Sequence, residues 1–413
     1  VSERVLLAMS GGVDSSVAAY LLREQGYDVV GLFMRTGAHT EAVAATTCSL
    51  PVVSPGAPTA SNKRGCCSAV DASDARRVAD KLDIPFYAVD FEHEFSRIID
   101  YFVDEYTQGR TPNPCVMCNT WLKFGRLWEY AQQIGADKIA TGHYARIVKT
   151  VDGPSRNPEL ATNDRRQPRT VFWLCRGVDA GKDQSYVLFG LDRDVLPHLI
   201  LPIGGHAKPQ IRAMARSLGL RVADKPDSQE ICFVPDGDYR RVVRTKRADF
   251  DGSGELVDTA GNVIARHDGF EGFTVGQRKG LGVALGERRY VVRIEPDTHR
   301  VVIGARDDLL RHSLTVRRLN WLADRPTQSM RCSIKIRYLH DAAPGLVTLL
   351  DNDQVRVDFD DPQPAVTPGQ AAVFYDGDRV LGGGFIDFQG SRSAGGSPAA
   401  SCDDIAGGPP ALR

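Results

Sequence analysis

The 413-residue sequence has no apolar run approaching the roughly 18 residues that a membrane-spanning helix needs. It also lacks charge of one sign: 51 lysines and arginines stand against 52 aspartates and glutamates, a net of −1 with histidine neutral. That balance excludes a global basic field, so DNA is not an expected partner and any RNA contact has to come from local patches. Cysteine is sparse, nine residues at uneven spacing, and the number is odd. A chain this long does not depend on staples, so a disulfide framework is excluded and any disulfide is expected to be catalytic. The opening VSERVLLAMS has no basic leader before a cleavable apolar segment, so a cytoplasmic protein that neither spans nor crosses a membrane is expected. What is present is ordinary globular composition, 42% hydrophobic and 25% charged, at a length that implies two or three domains.

The first ordered signal is RVLLAMSGGVDSSVAAYLLREQGYDVVGLFM. Val5 to Ala8 read as a buried strand. Val17, Ala18, Leu21 and Leu22 mark one face of a helix ended by Gly26, and Val29 to Met34 form a second strand. A strand–loop–helix–strand unit implies a parallel sheet. The loop SGGVDSS is neither G-x-x-x-x-G-K-[ST] nor G-x-G-x-x-G, but it places small residues at a helix N-terminus, where backbone N–H groups and the helix dipole suit a phosphate. Asp14 inside it is an acid that could hold Mg²⁺ on a pyrophosphate.

The second signal is TPNPCVMCN, with Cys115 and Cys118 behind a Pro-Asn-Pro turn. Such spacing suits a zinc knuckle, a redox pair, iron–sulfur ligation or a catalytic thiol, and the stretch alone does not choose among them.

SGGVDSS after a strand resembles the PP-loop of ATP pyrophosphatases, which cleave ATP to AMP and pyrophosphate while activating a carbonyl or carboxylate oxygen. Further blocks narrow the resemblance: GLFM, GCCS, GRTPNPCVMCN, ATGHYAR, KDQSYVLF, LPIGGHAKPQIR, DSQEICFVPDGDY, FTVGQRKGLG and PGQAAVFY. In this order, over nearly the whole chain, they resemble the bacterial tRNA-uridine 2-sulfurtransferases, or 2-thiouridylases. The resemblance implies ATP over Ala8, Met9, Ser10, Gly11, Gly12, Val13, Asp14 and Ser15, with Met34 and Gly142 on the adenine side, and Mg²⁺ accompanying the nucleotide. It implies Cys118 as nucleophile, Cys232 as persulfide carrier, and a catalytic Cys118–Cys232 disulfide. It implies that Asn113, Pro114, Cys115, His143, Lys182, Asp183, Gln184, Arg337, Tyr338 and Gln370 face tRNA or its target base. The implied reaction is ATP-dependent 2-thiolation of the wobble uridine, with a cysteine desulfurase or sulfur relay protein as donor partner. Two alternatives stand beside it: another PP-loop synthetase or tRNA-modifying pyrophosphatase, and sulfur delivery through a [4Fe–4S] cluster on Cys115, Cys118 and Cys232. Cys115 occupies a position where the family commonly has an acid, so that acid's role does not transfer.

The expected fold is α/β: a PP-loop parallel sheet with helices on both faces, a small linking domain and a C-terminal β-barrel. The expected divisions are 1–200, 201–268 carrying Cys232, 269–390 as a tRNA-contacting barrel, and a disordered tail at 391–413, with mobile insertions at 38–62 and 152–169. His206 to Leu218 read as an amphipathic helix closed by Gly219, and YRRVVRTKR at 239–247 as a basic surface for RNA. Cys66 and Cys67 read as a buried or turn pair, and Cys48, Cys175, Cys332 and Cys402 as passive thiols.

Overall fold

A computed structural model describes residues 2–37, 69–151, 170–227, 231–283 and 286–387. The expected insertions at 38–62 and 152–169, the tail from 391, and Cys48, Cys66, Cys67 and Cys402 lie outside the described residues. The N-terminal strands are β1 (Arg4–Ala8), β2 (Asp28–Arg35), β3 (Phe86–Asp90) and β4 (Lys138–Ala140). A hairpin follows, β5 (Ala145–Val151) and β6 (Thr170–Arg176), and then β7 (Leu199–Ile200). Strands β3-β2-β1-β4-β7 form one sheet, parallel throughout.

The helices are α1 (Val13–Glu24), α2 (Ala69–Lys81), α3 (Glu92–Thr107), α4 (Pro114–Met117), α5 (Leu127–Gln133), α6 (Lys208–Ser217) and α7 (Tyr239–Lys246). Between α4 and α5 the backbone widens into a π-helical stretch, Cys118–Arg126. Strand alternation sorts the core. Val5 and Leu7 join α1, α2 and α6 in one apolar cluster, whereas Leu6 joins α3, α5 and the π-helical stretch in the other. A continuous apolar run such as VLL is what a strand covered on both faces requires. The glycines at 26 and 219 lie just past α1 and α6 with φ of +85° and +60°, the left-handed turn that ends a helix.

A four-stranded sheet comes next: β8 (Gly254–Val257), β9 (Val263–His267), β10 (Tyr290–Glu295) and β11 (Arg300–Gly304), in the order β10-β11-β8-β9. It packs its own core of Leu256, Phe270, Phe273, Val291, Ile294, Val301 and Ile303. It takes strands from both sides of residue 268: the short GELV of β8 pairs in parallel with the more apolar β11, and VIARH of β9 pairs antiparallel with β8.

The last six strands are β12 (Leu310–Trp321), β13 (Met330–Lys335), β14 (Ala343–Leu350), β15 (Gln354–Pro364), β16 (Ala371–Asp376) and β17 (Arg379–Asp387). They close into a barrel where β12 pairs with β17. The hairpin β5–β6 of the N-terminal region attaches to β17 through Cys175 and Arg379, extending the barrel sheet. Among the described residues, no helix is long and apolar enough to cross a membrane.

Candidate active site

The glycine-serine loop leaves the C-terminal end of β1 and enters α1, the edge of a parallel sheet where ligands bind in open α/β folds. Gly11 has φ +71°, and a Cβ there would sit 2.1 Å from the Asp71 carbonyl oxygen, so only glycine fits. Gly142 lies against the same loop: its Cβ would come 2.8 Å from the Ser15 nitrogen. Ser15 and Ser16 turn their hydroxyls back onto the Gly12 carbonyl at 3.2 and 2.8 Å, and the Ser10 N–H donates to Ser15 Oγ at 3.2 Å. The serines therefore shape the loop, leaving the first-turn N–H groups of α1, which have no intrahelical acceptor, for a ligand. Beside it, at the end of β2, the Thr36 hydroxyl is buried with no partner among the described residues.

Asp14 is held by groups that sequence reasoning gave no role. Lys208 Nζ donates to both its oxygens at 2.9 and 2.8 Å, and Tyr144 Oη donates to one of them at 2.7 Å. Burial, and then the Asp14 charge, push the Tyr144 phenol far up, so it stays a donor. With its carboxylate engaged this way, Asp14 offers a fixed charge rather than a ready Mg²⁺ ligand. No three His, Cys, Asp or Glu side chains converge on a metal-ligating arrangement among the described residues. Cys115, Cys118 and Cys232, expected in one alternative to hold an iron–sulfur cluster, do not form a ligand group among the described residues in this conformation.

Lys208 reaches one carboxylate further, to Asp227 Oδ1 at 2.8 Å, where Arg212 also donates at 3.0 Å; Lys182 takes Oδ2 at 2.7 Å. Partial burial pushes the Asp227 carboxyl up, but the hydrogen bonds from Lys182 and Lys208 outweigh it and hold the acid down at about 2. Two residues earlier, Lys225 donates to the Gly11 carbonyl at 2.9 Å and bridges Asp71 and Asp74 at 2.6 and 2.8 Å. The segment leading toward Cys232 is thus docked on the glycine-serine loop from two sides. One signal for Lys208 was legible: it opens α6, where a cation opposes the helix dipole and needs an external anion to justify it.

The cysteine loop is built from the other direction. Asn113 caps α4 by accepting from the Val116 N–H at 3.4 Å, Cys115 is exposed, and Cys118 begins the π-helical stretch, a distortion found frequently at functional sites. The barrel clamps the turn ahead of it. The Thr111 N–H donates to the Pro368 carbonyl at 2.8 Å, and the Gln370 side-chain amide donates to the Thr111 and Pro112 carbonyls at 3.0 and 3.1 Å. Gln370, expected at tRNA, therefore uses its amide on the loop. Tyr338 stands over the loop: burial raises its phenol first, with Asp183 and Cys115 adding to the shift. Arg337 donates to the Pro364 carbonyl at 3.2 Å. Cys118 and Cys232 are half-buried and border one apolar cluster, in which Phe233 meets Phe95 and Phe102 edge-on. Burial pushes Cys175 up to about 11 and Cys332 up to about 12, so neither ionises near neutrality.

The other expected contact residues are largely engaged within the protein. Asp183 is buried and accepts from the Gly177 and Ser185 N–H groups and the Ser185 hydroxyl, and Gln184 Oε1 accepts from the Tyr144 N–H at 2.9 Å. His143 is buried, with Nδ1 2.7 Å from Thr141 Oγ1 and Nε2 3.5 Å from Lys123 Nζ. Lysine only donates, so Nε2 accepts and the proton sits on Nδ1, donating to the threonine. Burial, then Lys123, hold this imidazole neutral far below its usual range. The basic stretch on α7 is no unopposed field: Arg240, Arg241, Arg244 and Arg247 face Asp238, Asp236, Glu271 and Asp104.

Residues 3–236 match the family model described as a tRNA methyl transferase HUP domain. Residues 245–305 match a tRNA methyl transferase PRC-barrel domain, and 311–386 an aminomethyltransferase β-barrel domain. The chain is 50% identical to the tRNA-specific 2-thiouridylase MnmA of Rhodopirellula baltica, over 96% of this chain and 99% of that one. It is 45% identical to the protein of the same name from Geobacter metallireducens, over 93% and 97% of the two chains. It is 46% identical to that of Geotalea uraniireducens, over 93% and 95%. With the loop, the cysteines and the barrel all within these matched spans, the chain belongs to the tRNA-specific 2-thiouridylase family.

Proposed function

We propose that this protein replaces the 2-oxygen of the wobble uridine in tRNA with sulfur, at the expense of ATP. The observation that carries the reading is full-length identity to 2-thiouridylases in a chain that keeps SGGVDSS, Cys118 and Cys232. A small-molecule synthetase would account for the loop but not for the cysteines or the barrel. Methyl transfer, named in the family-model descriptions, would leave both the loop and the cysteines without a task.

A carbonyl oxygen is a poor leaving group. The uracil O2 attacks the α-phosphate of ATP, pyrophosphate departs, and the oxygen becomes part of AMP. The N-terminus of α1 and the Ala8–Ser15 loop receive the phosphates, with Met34 and Gly142 toward the adenine. Asp14 holds Lys208 beside those phosphates. Mg²⁺ bound with the nucleotide would neutralise phosphate charge.

Cys232 takes a terminal sulfur from a cysteine desulfurase or relay protein. That sulfur attacks C2 of the adenylated base and AMP leaves. Cys118 then attacks the Cys232 sulfur of the adduct, the bond to the transferred sulfur breaks, and 2-thiouridine leaves as a Cys118–Cys232 disulfide forms. A variant order has Cys118 attack the persulfide first and release sulfide as the nucleophile. An external two-electron dithiol restores both thiols in either order. Asn113, Pro114, Cys115, His143 and Tyr338 lie on or beside the cysteine loop as candidates for shaping the base pocket.

The test is purified protein with tRNA, ATP and a persulfide donor, followed by mass analysis of the nucleosides. Stoichiometric 2-thiouridine and AMP are expected; AMP without thiolated tRNA would point to another PP-loop activity.

A further inference from the structure

Among the described residues two lysines are buried, Lys208 and Lys335, at 7% and 9% exposure. Lys208 is matched by Asp14 and Asp227. Lys335 has no such match. Its ammonium lies 5.9 Å from the Tyr186 ring centre and 5.8 Å from that of Tyr338, with no hydrogen bond or ion pair among the described residues. Two aromatic faces attract a cation but leave its three N–H donors unsatisfied. Asp183 acts on it through space, yet both Asp183 oxygens are taken by Gly177 and Ser185, and Arg176 adds a like charge. A buried cation without an acceptor is costly, and a bound ligand can supply one.

Strand alternation places this group. Met330 and Ile334 of β13 point into the barrel core, so Lys335 points out of it, as does its partner Val373, which packs in the N-terminal apolar cluster. Lys335 therefore stands in the seam between the barrel and the N-terminal region. The cysteine turn borders the same seam: Asn113 neighbours the Tyr186 phenol, and Cys115 that of Tyr338. Residues 183–186 link it to the glycine-serine loop, since Gln184 accepts from the Tyr144 N–H and Tyr144 donates to Asp14. A uracil whose C2 edge meets ATP and sulfur between these walls turns its C4 edge toward the barrel.

We infer that Lys335 is a specificity-determining residue that donates to O4 of the target uracil, beside the part-exposed ring of Tyr338, and so selects uracil over cytosine. This rests on the reading that the chain thiolates uridine in tRNA. Uracil presents a carbonyl acceptor at C4, whereas cytosine presents an amino donor there. An ammonium has only donors, so it pairs with the first and opposes the second.

The experiment measures thiolation by the full-length wild type, Lys335→Met and Lys335→Gln on one tRNA carrying uridine or 4-thiouridine at the wobble position. 4-Thiouridine keeps N3–H and replaces O4 with sulfur, a weak acceptor. Wild-type kcat/KM should be about tenfold lower on 4-thiouridine than on uridine. Relative to wild type on the same base, Lys335→Met should lose about thirtyfold on uridine and about threefold on 4-thiouridine, so the variant no longer separates the two. Lys335→Gln, whose amide both donates and accepts, should narrow the preference for uridine over cytidine in tRNA-stimulated AMP formation about tenfold. Affinity for tRNA should stay within about threefold of wild type in both variants, with its salt dependence unchanged. An equal loss on both bases overturns the proposal, because a purely structural lysine is blind to the atom at C4. A salt slope reduced by about 1 places the ammonium on a phosphate and overturns it as well. If neither variant folds, the wild type decides, and equal kcat/KM on uridine and 4-thiouridine overturns the contact. A wild type that makes no 2-thiouridine removes the proposed function first.

Discussion

Gly369→Ala is expected to loosen the cysteine loop from a distance, through the barrel. The residue has φ +88°, and a Cβ would stand 2.8 Å from the Thr111 carbonyl oxygen, 3.0 Å from the Thr111 nitrogen and 3.0 Å from Arg110 Cβ. Two of those contacts are backbone, so no side chain can swing away. The left-handed conformation alone costs a non-glycine residue about 1–2 kcal/mol. Moving the loop to relieve the clash weakens the Thr111–Pro368 bond and the two from Gln370, each contributing about 1 kcal/mol net. A total of about 3 kcal/mol is expected, which in local opening is roughly a hundredfold change. The Thr111 amide, itself a donor in the clamp, reports it directly: hydrogen exchange there should accelerate about a hundredfold in Gly369→Ala, and about thirtyfold in Gln370→Ala, which loses both side-chain bonds. The double variant should fall short of the sum because both act on one contact. Exchange at Thr111 within twofold of wild type in Gly369→Ala would refute the idea that the barrel holds the loop.

Asp14→Ala should abolish AMP formation while tRNA binding persists, and near-normal turnover would take the glycine-serine loop out of the chemistry. Cys118→Ser and Cys232→Ser should each eliminate 2-thiouridine whereas Cys115→Ser retains it; iron bound in stoichiometric amount and lost in all three would contradict the persulfide route. Because His143 is buried neutral, the unfolded chain takes up a proton below about pH 6.5 that the folded chain refuses, so its contribution is intact above that pH and fades as pH falls. The drop in melting temperature between pH 7.5 and pH 5 should therefore be smaller in His143→Asn than in wild type, and an equal drop would contradict the assignment. Replacing Arg240, Arg241 and Arg244 by Gln should leave the salt dependence of tRNA affinity nearly unchanged, since each faces a carboxylate. A slope reduced by about 3 would instead place all three on phosphates.

The glycine-serine loop, its strand and its helix were legible because they are local: an apolar run, a turn that only Gly11 can make, and a helix closed at Gly26. The late strands of the barrel were legible for the same reason, through alternation within each run. The sheet formed by β8 to β11 was not, because GELV and VIARH are too short and too charged to declare themselves without their partners. Nor were the ion pairs of the site. Asp14 and Lys208 are separated by 194 residues, and Gln370 and Thr111 by 259. Types and spacing do not reveal such partners; only the closed fold brings them together. The same applies to Asp183, Gln184 and Gln370, whose polar side chains suggest a ligand in sequence but satisfy the protein's own backbone in the structure.

The hairpin β5–β6 has a consequence for synthesis. Its inner strand, β6, meets the barrel where Cys175 lies opposite Arg379, and Arg146 reaches Asp378 at 2.8 Å. Those partners leave the ribosome some 200 residues later, about 10–40 s at ordinary elongation rates. Throughout that interval the nascent N-terminal region carries an unattached sheet edge, and the turn before Cys115 and Cys118 has no Gln370 to hold it. A chain arranged in this way gains the clamp on its cysteine loop only after its own barrel has been made.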